Sequence, residues 1–234
     1  AEAFTYSYDV LSRPTTLQRP NGVQTSYSFD AVDRLQRLTH TNSFNQPIED
    51  YQFAYNIDDE IESITSLASA TQLPQANTVG TADAANRIAQ FGEASYSFDE
   101  RGMTTSKTDG QGTTTYQWDA RGRLTQPTLP SGQTINYGYH ATGRLASRAT
   151  NGSSTSFLYN NLDVVLDRGS DGSQVDYLNG MALDDKLRQA SNATGALYFL
   201  QDQLRSTIAL TDSGGNVVER KQYEPFGESQ SSAL

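Results

Sequence analysis

The sequence predicts an all-β protein built of antiparallel β-hairpins, repeated about every 21 residues and joined into one growing sheet. Three observations predict it. A short motif recurs along the chain: an aromatic, any residue, a second aromatic, then a polar turn-former. Its aromatics alternate with small or polar residues at the period of two that defines a strand. Asn-Gly and Asp-Gly pairs, the strongest short-range hairpin signals, fall about midway between the copies.

The motif stands at 6–9 (YSYD), 27–30 (YSFD), 53–56 (FAYN), 96–99 (YSFD), 116–119 (YQWD), 137–140 (YGYH) and 157–160 (FLYN). Its second aromatics are separated by 21, 26, 43, 20, 21 and 20 residues. The interval of 43 is about two periods, and a worn copy fills it: 83–88 (DAANRI) reads as a turn and return strand without leading aromatics. The clearest copy is 116–124, YQWDARGRL. Tyr116 and Trp118 fall on one face of a strand, Asp119 opens a turn, Gly122 closes it in a left-handed conformation, and Arg123-Leu124 begins the return. Asp99 with Gly102, and Gly143, repeat that pattern. Asp33 and Asp59 replace the glycine, which fits because Asp tolerates a left-handed backbone. Ser12 tolerates it less well and predicts a frayed or differently turned first repeat.

The other end of each period carries Asn21-Gly22, Asp109-Gly110, Ser131-Gly132, Asn151-Gly152 and Asp171-Gly172, read as two-residue I′ turns with both central residues at positive φ. Residues 65–80, small and polar with Pro74, read as an inserted loop within the repeats. Residues 1–176 form the repeat region, and 177–234 begin something particular, with a further hairpin around 212–215 (DSGG).

Composition bounds the function. Only 35% of residues are apolar, yet thirteen Tyr and nine Phe argue against disorder. They predict a buried face of amphipathic Tyr in place of aliphatic side chains. A net charge of −10, with no basic run longer than Arg220-Lys221, gives no footprint for nucleic acid. No apolar run is long enough to span a membrane and no signal peptide opens the chain. The absence of cysteine excludes disulfides and thiolate-ligated zinc. Ala1 in place of Met and the ending at Leu234 predict a piece of something longer, and the lack of cysteine is compatible with a bacterial parent protein that is secreted or at the cell surface.

No catalytic, metal or cofactor constellation emerges. His140 occupies a turn-opening position usually held by Asp, and the only other histidine is His40. The carboxylates Asp58, Asp59, Glu60 and Glu62 lack calcium-loop spacing and read as a solvated turn, as do Asp184 and Asp185. The serines at 229–232 form no nucleophile elbow. The aromatic pairs Tyr6/Tyr8, Tyr27/Phe29, Tyr96/Phe98, Tyr116/Trp118 and Tyr137/Tyr139 are expected to stack across neighbouring strands. The functional alternative for that stripe is glycan binding. Arg34, Arg123 and Arg144 are expected to pair with nearby carboxylates at little gain in stability.

Motif and spacing together resemble the YD (RHS) repeats of bacterial Rhs proteins, of the B/C components of Tc toxins and of teneurins. Residues 198–227 resemble the opening of the RHS-associated core, with Arg205 where that core usually has Gly. The resemblance covers essentially the whole chain. It implies a curved, spiralling β-strip forming a shell segment, without catalysis, that encloses or scaffolds a C-terminal toxin or partner polypeptide. The expected partners are the remaining shell or a passenger toxin polypeptide, with self-association through open strand edges or glycans as alternatives. The self-cleavage motif of such proteins is expected beyond Gly227, so no catalytic residue is carried over. A surface adhesion or carbohydrate-binding module is the second reading.

Overall fold

A computed structural model describes residues 2–67, 80–182, 184–223 and 229–233. The regular structure among them is antiparallel β-strand throughout. The chain divides into two compact units, Ala1–Pro74 with Tyr177–Leu234, and Gln75–Asp176.

In the first unit, β1 (Thr5–Tyr8), β2 (Pro14–Gln18), β3 (Gln24–Phe29), β4 (Leu35–Thr41), β5 (Pro47–Tyr55) and β6 (Ile61–Thr65) pair in sequence order as a six-stranded sheet. In the second unit, β7 (Gln90–Phe91), β8 (Ala94–Phe98), β9 (Thr104–Asp109), β10 (Gly112–Trp118) and β11 (Leu124–Thr128) form a five-stranded sheet. They are followed by β12 (Ile135–Tyr139), β13 (Leu145–Thr150), β14 (Ser153–Asn160), β15 (Asp163–Gly169) and β16 (Gln174–Asn179), again paired consecutively. The first unit resumes with β17 (Lys186–Ser191), β18 (Gly195–Gln201), β19 (Thr207–Thr211), β20 (Val217–Tyr223) and β21 (Ser229–Ala233). Each element is a hairpin arm because a turn signal stops it after two to nine residues. The inserted loop expected at 65–80 falls largely on 68–79, outside the described residues.

One turn shape dominates. Asp9 N–H donates to the Arg13 carbonyl at 3.0 Å, and Ser12 N–H to the Asp9 carbonyl at 3.0 Å. The same two bonds recur at Asp30, Asn56, Asp83, Asp99, Asp119, His140, Asp202 and Asp212. The fourth residue is always left-handed: φ is 62° at Ser12, 70° at Asp33, 64° at Asp59 and 73° at Gly122. Where an Asp opens the turn, its Oδ1 also accepts the N–H groups two and four residues on, as from Leu11 and Arg13 at Asp9. The first repeat is therefore turned like the others and not frayed. The Asp9 carboxylate and the flanking ladder hold Ser12 where glycine would sit unstrained. Arg205 likewise takes φ 66° and its turn closes normally, with Arg205 N–H on the Asp202 carbonyl at 3.1 Å.

The inner turns differ from expectation. Only Asn151-Gly152 has both central residues left-handed, at 49° and 81°. At Gly22, Gly132 and Gly172 the glycine alone is left-handed, and the turn repeats the four-residue pattern, as in Arg19 N–H on the Val23 carbonyl at 2.9 Å. A type I turn followed by a left-handed residue matches strand twist as well as I′ does and needs one special residue, not two.

The buried face also departs from the expected tyrosine layer. The core of the first unit is aliphatic: Val23, Ile48, Leu200 and Ala209, with Ile208 and Val217 against it. Through it runs a buried polar chain. Arg19 Nη1 donates to Thr25 Oγ1 at 2.7 Å, Thr25 Oγ1 lies 2.8 Å from His40 Nδ1, and His40 Nε2 lies 2.9 Å from the Gln201 carbonyl. A carbonyl only accepts, so Nε2 carries the proton. Burial first, and the Arg19 charge second, push His40 down to about 3, so the imidazole is neutral and Nδ1 accepts from Thr25. Asn21 adds a second tie, its amide nitrogen reaching Thr211 Oγ1 at 3.0 Å and the Asp212 carbonyl at 2.8 Å.

Two expectations follow. Ser12→Gly relieves left-handed strain and raises stability by about 0.5–1 kcal/mol in urea unfolding, the strain of ~1–2 being offset by glycine's entropy. A neutral or destabilising result refutes the strain at Ser12. For His40 the folded state holds the proton less tightly than the unfolded chain. Its stabilisation is therefore complete above the ordinary histidine range and declines as pH falls towards about 3. Urea midpoints between pH 7 and 5 should fall in the wild type and stay flat in His40→Gln, before carboxylates begin to titrate; equal slopes would exclude a buried neutral His40.

Candidate functional site

The residues that recur do one thing: they lock each repeat onto the next. At Asp119 the carboxylate Oδ1 accepts the backbone N–H of Arg121 and Arg123, while Oδ2 accepts Arg123 Nε at 2.7 Å. The backbone N–H of Arg123 is the main reason the Asp119 carboxyl is held below its usual range; for Asp83 it is the Arg87 guanidinium itself. So clamped, the Arg123 guanidinium lies over the Tyr139 ring of the following repeat, 4.7 Å from its centre. The arrangement recurs with Arg13 over Phe29 at 4.5 Å, Arg34 over Tyr55 at 4.5 Å and Arg87 over Phe98 at 4.8 Å.

The same arginine reaches the next turn. Arg13 Nη1 meets Asp33 Oδ1 at 2.6 Å, and Arg34 Nη1 meets Asp59 Oδ1 at 2.7 Å. Where that left-handed position is glycine, the acceptor becomes the turn-opening carbonyl: Arg87 Nη1 to Asp99 at 3.1 Å, and Arg123 Nη1 to His140 at 3.4 Å. Asp33 and Asp59 are thus more than tolerated in the left-handed turn, because each receives the preceding arginine. Asp59 belongs to the acidic run read as a solvated turn. Arg144 differs from expectation: with His140 at the turn-opening position it lies over Tyr159 at 5.7 Å, and no carboxylate within salt-bridge distance is seen among the described residues.

In four copies the second aromatic contributes a hydrogen bond to the repeat before it; Tyr8, in the first copy, makes none among the described residues. Tyr55 OH donates to the Leu35 carbonyl at 2.7 Å, Tyr139 OH to Leu124 at 2.7 Å, and Tyr159 OH to Leu145 at 2.9 Å. Trp118 Nε1 donates to Thr104 at 2.7 Å. In every case the acceptor is the fifth residue after the turn-opening position of the preceding repeat. Phe29 and Phe98 offer only the ring.

The first aromatics do not stack across strands. Tyr6, Tyr27, Tyr96, Tyr116 and Tyr137 face Leu17, Leu38, Lys107, Pro127 and Arg148 in the register. Within a strand Tyr6 and Tyr8 stack, with ring centres 6.2 Å apart. All ten rings of the predicted stripe are half-buried except Tyr8, which is exposed. The period of about 21 sets the second aromatic beside the preceding turn and not beside another ring, so the neighbour of Phe29, Tyr55, Phe98, Tyr139 and Tyr159 is an arginine. Among the described residues no cluster of three or more His, Asp or Glu could hold a metal, and no helix is long and apolar enough to cross a membrane.

Sequence reasoning identified the aromatics and turns but missed what connects them. The signal was present as an Arg four residues after the turn-former at Arg13, Arg34, Arg87, Arg123 and Arg144. Tyr139→Phe removes one hydroxyl and keeps the ring, so it should cost about 0.5–1.5 kcal/mol in urea unfolding. Phe98→Tyr, which offers a donor to a new repeat, should not be destabilising; a Tyr139→Phe change without effect would show that the hydroxyl bond contributes nothing to repeat registration.

The comparisons agree with this geometry. The teneurin YD-shell family model matches residues 3–233. The Photorhabdus luminescens Tc holotoxin pore is similar in fold, with a TM-score of 0.65 at 16% identity over 98% of this chain and 16% of that one. The TcdB2-TccC3-Cdc42 structure gives 0.65 at 17% identity, and TcdB2-TccC3 without its hypervariable C-terminal region 0.64 at 16%, with the same two coverages. The chain therefore spans about a sixth of the length of these structures. The comparison with curated proteins returns no match. With a hairpin repeat locked by Arg, Asp and aromatic side chains, and a family match over nearly its full length, the chain belongs to the teneurin YD-shell family.

Proposed function

We propose that this chain is a non-catalytic wall segment of a YD-type shell, which encloses or scaffolds a passenger toxin polypeptide. The observation that carries the reading is the repeat lock. The guanidinium groups of Arg13, Arg34, Arg87 and Arg123 are each committed to their own turn, to the ring of the next repeat and to that repeat's turn, so these recurring residues are spent on building wall. In this reading 1–176 supply YD repeats and 177–234 open the RHS-associated core. The partners are the remaining shell and the passenger, and the parent protein works outside the cell or at its surface. The family match over residues 3–233 and the shared fold with the TcdB2-TccC3 structures support this. The stripe Tyr6, Tyr8, Tyr27, Phe29, Tyr96, Phe98, Tyr116, Trp118, Tyr137 and Tyr139, with the turns at Asp99, Gly102, Asp119, Gly122 and Gly143, then serves the wall. No observation favours the carbohydrate-binding alternative, and Phe29, Phe98 and Tyr139 already carry a guanidinium on one face.

Solution scattering with an absolute mass measurement tests the reading. A self-contained globule of this length has a radius of gyration near ~17 Å. A wall segment should give a clearly larger value or an edge-paired oligomer, since unpaired strand edges recruit further strands. A monomer at the compact value overturns it.

A further inference from the structure

The first unit holds apolar side chains in water that the repeat lock does not use. Val10, Val32 and Leu204 are exposed at the tips of the turns opened by Asp9, Asp30 and Asp202. Most residue types suit those tip positions, so the fold does not call for aliphatics there. At the turns opened by Asp83, Asp99, Asp119 and His140 the same two positions hold only Ala, Glu, Arg and Thr. Beside the first and last of the apolar tips lies a cleft of about 380 Å³, with Tyr8, Gln203 and Arg205 on its walls. Leu17 and Leu38 line it as well, and Met181, 86% exposed, stands at its mouth. Its charged side chains, Arg19 and Arg205 against Asp185 and Asp202, cancel. The cleft therefore favours an uncharged, apolar guest over an ion.

Phe44 has the matching properties. It is 81% exposed, more than any other aromatic among the described residues. Its turn holds without the ring, because Asn42 Oδ1 accepts the N–H groups of Phe44 and Gln46, each at 3.0 Å. From Leu38 to Ile48 no side chain is charged at neutral pH, since burial keeps His40 neutral. Two copies of a chain with net charge −10 repel, and at this uncharged turn they can approach without adding to the repulsion. We propose that the cleft receives Phe44 from a second copy of this chain. The phenyl ring passes between Tyr8 and Met181, since an aromatic ring and a thioether both favour such a neighbour. The exposed Leu11 and Leu204 then cover the incoming turn. Knob and cleft are different surfaces, so the contact is head-to-tail and propagates unless it closes into a ring. It uses no strand edge and does not rest on the wall reading.

Sedimentation velocity on the full chain, from micromolar to millimolar concentration, tests the contact. The wild type should associate as concentration rises. Phe44→Ser removes the knob and Met181→Glu puts a carboxylate at the mouth, and each should weaken association by about tenfold or more. Both side chains are exposed, so both variants keep the fold, which circular dichroism verifies. An equal mixture of the two variants should form a heterodimer and stop there, because Phe44→Ser keeps an intact cleft and Met181→Glu an intact Phe44. A wild type that stays monomeric throughout overturns the proposal. So does association that Phe44→Ser leaves unchanged, which identifies strand-edge pairing instead and leaves the wall reading standing. A mixture that forms no heterodimer overturns the cleft as the acceptor of Phe44.

Discussion

The structure depends on one arrangement: a guanidinium held by the aspartate of its own turn and laid on the aromatic ring of the next repeat. As an exposed ion pair it would contribute about 0–1 kcal/mol. The ring adds roughly 0.5–1 and a neutral hydrogen bond from the aromatic hydroxyl about 1. All three act together where Arg34 meets Tyr55 and where Arg123 meets Tyr139, and a repeat array is stabilised as the sum of such neighbour terms. The expectation that turn arginines add little to stability considers the ion pair alone. It misses that the same side chain also serves the ring and the adjoining turn.

The lock tolerates loss because its parts are separable. Met103 stands where arginine would follow Asp99, yet Arg101 Nη1 reaches the Asp119 carbonyl at 3.2 Å and Trp118 ties back to Thr104. His140 removes the turn carboxylate, but Tyr159 still donates to Leu145 and takes the His140 ring edge-on, with centres 6.0 Å apart. A missing component is covered by another that acts over the same boundary. That redundancy lets the motif drift from YSYD to FLYN without losing the repeat.

Legibility in the sequence tracks how local each interaction is. Turn shape is set within five residues, so the hairpins, the worn copy at Asp83 and the left-handed Asp33 and Asp59 could be read directly. The single-glycine form of the inner turns could not, because Asn-Gly suits two turn types and only the strand twist around it decides. The lock spans about 20 residues, and its arginines were visible as a pattern whose partner was misassigned. Asn21, His40 and Arg19 were opaque. Their partners Thr211 and Gln201 lie 161 to 190 residues away in sequence for Asn21 and His40, and no local spacing announces such contacts.

Those opaque residues answer a problem that the repeat creates. A slip by one full period would set most aromatics beside a turn of the same shape, so the lock by itself distinguishes one register from another only weakly. Aliphatic contacts such as Val23 with Leu200 discriminate weakly, since similar side chains recur. Buried polar groups discriminate strongly, because a misplaced one is left without its partner in an apolar environment. His40 needs a carbonyl at Gln201 for Nε2 and a hydroxyl at Thr25 for Nδ1, and Asn21 needs both Thr211 and the Asp212 carbonyl. The repeated residues build the sheet, and the unrepeated ones select which strands of the first unit face each other.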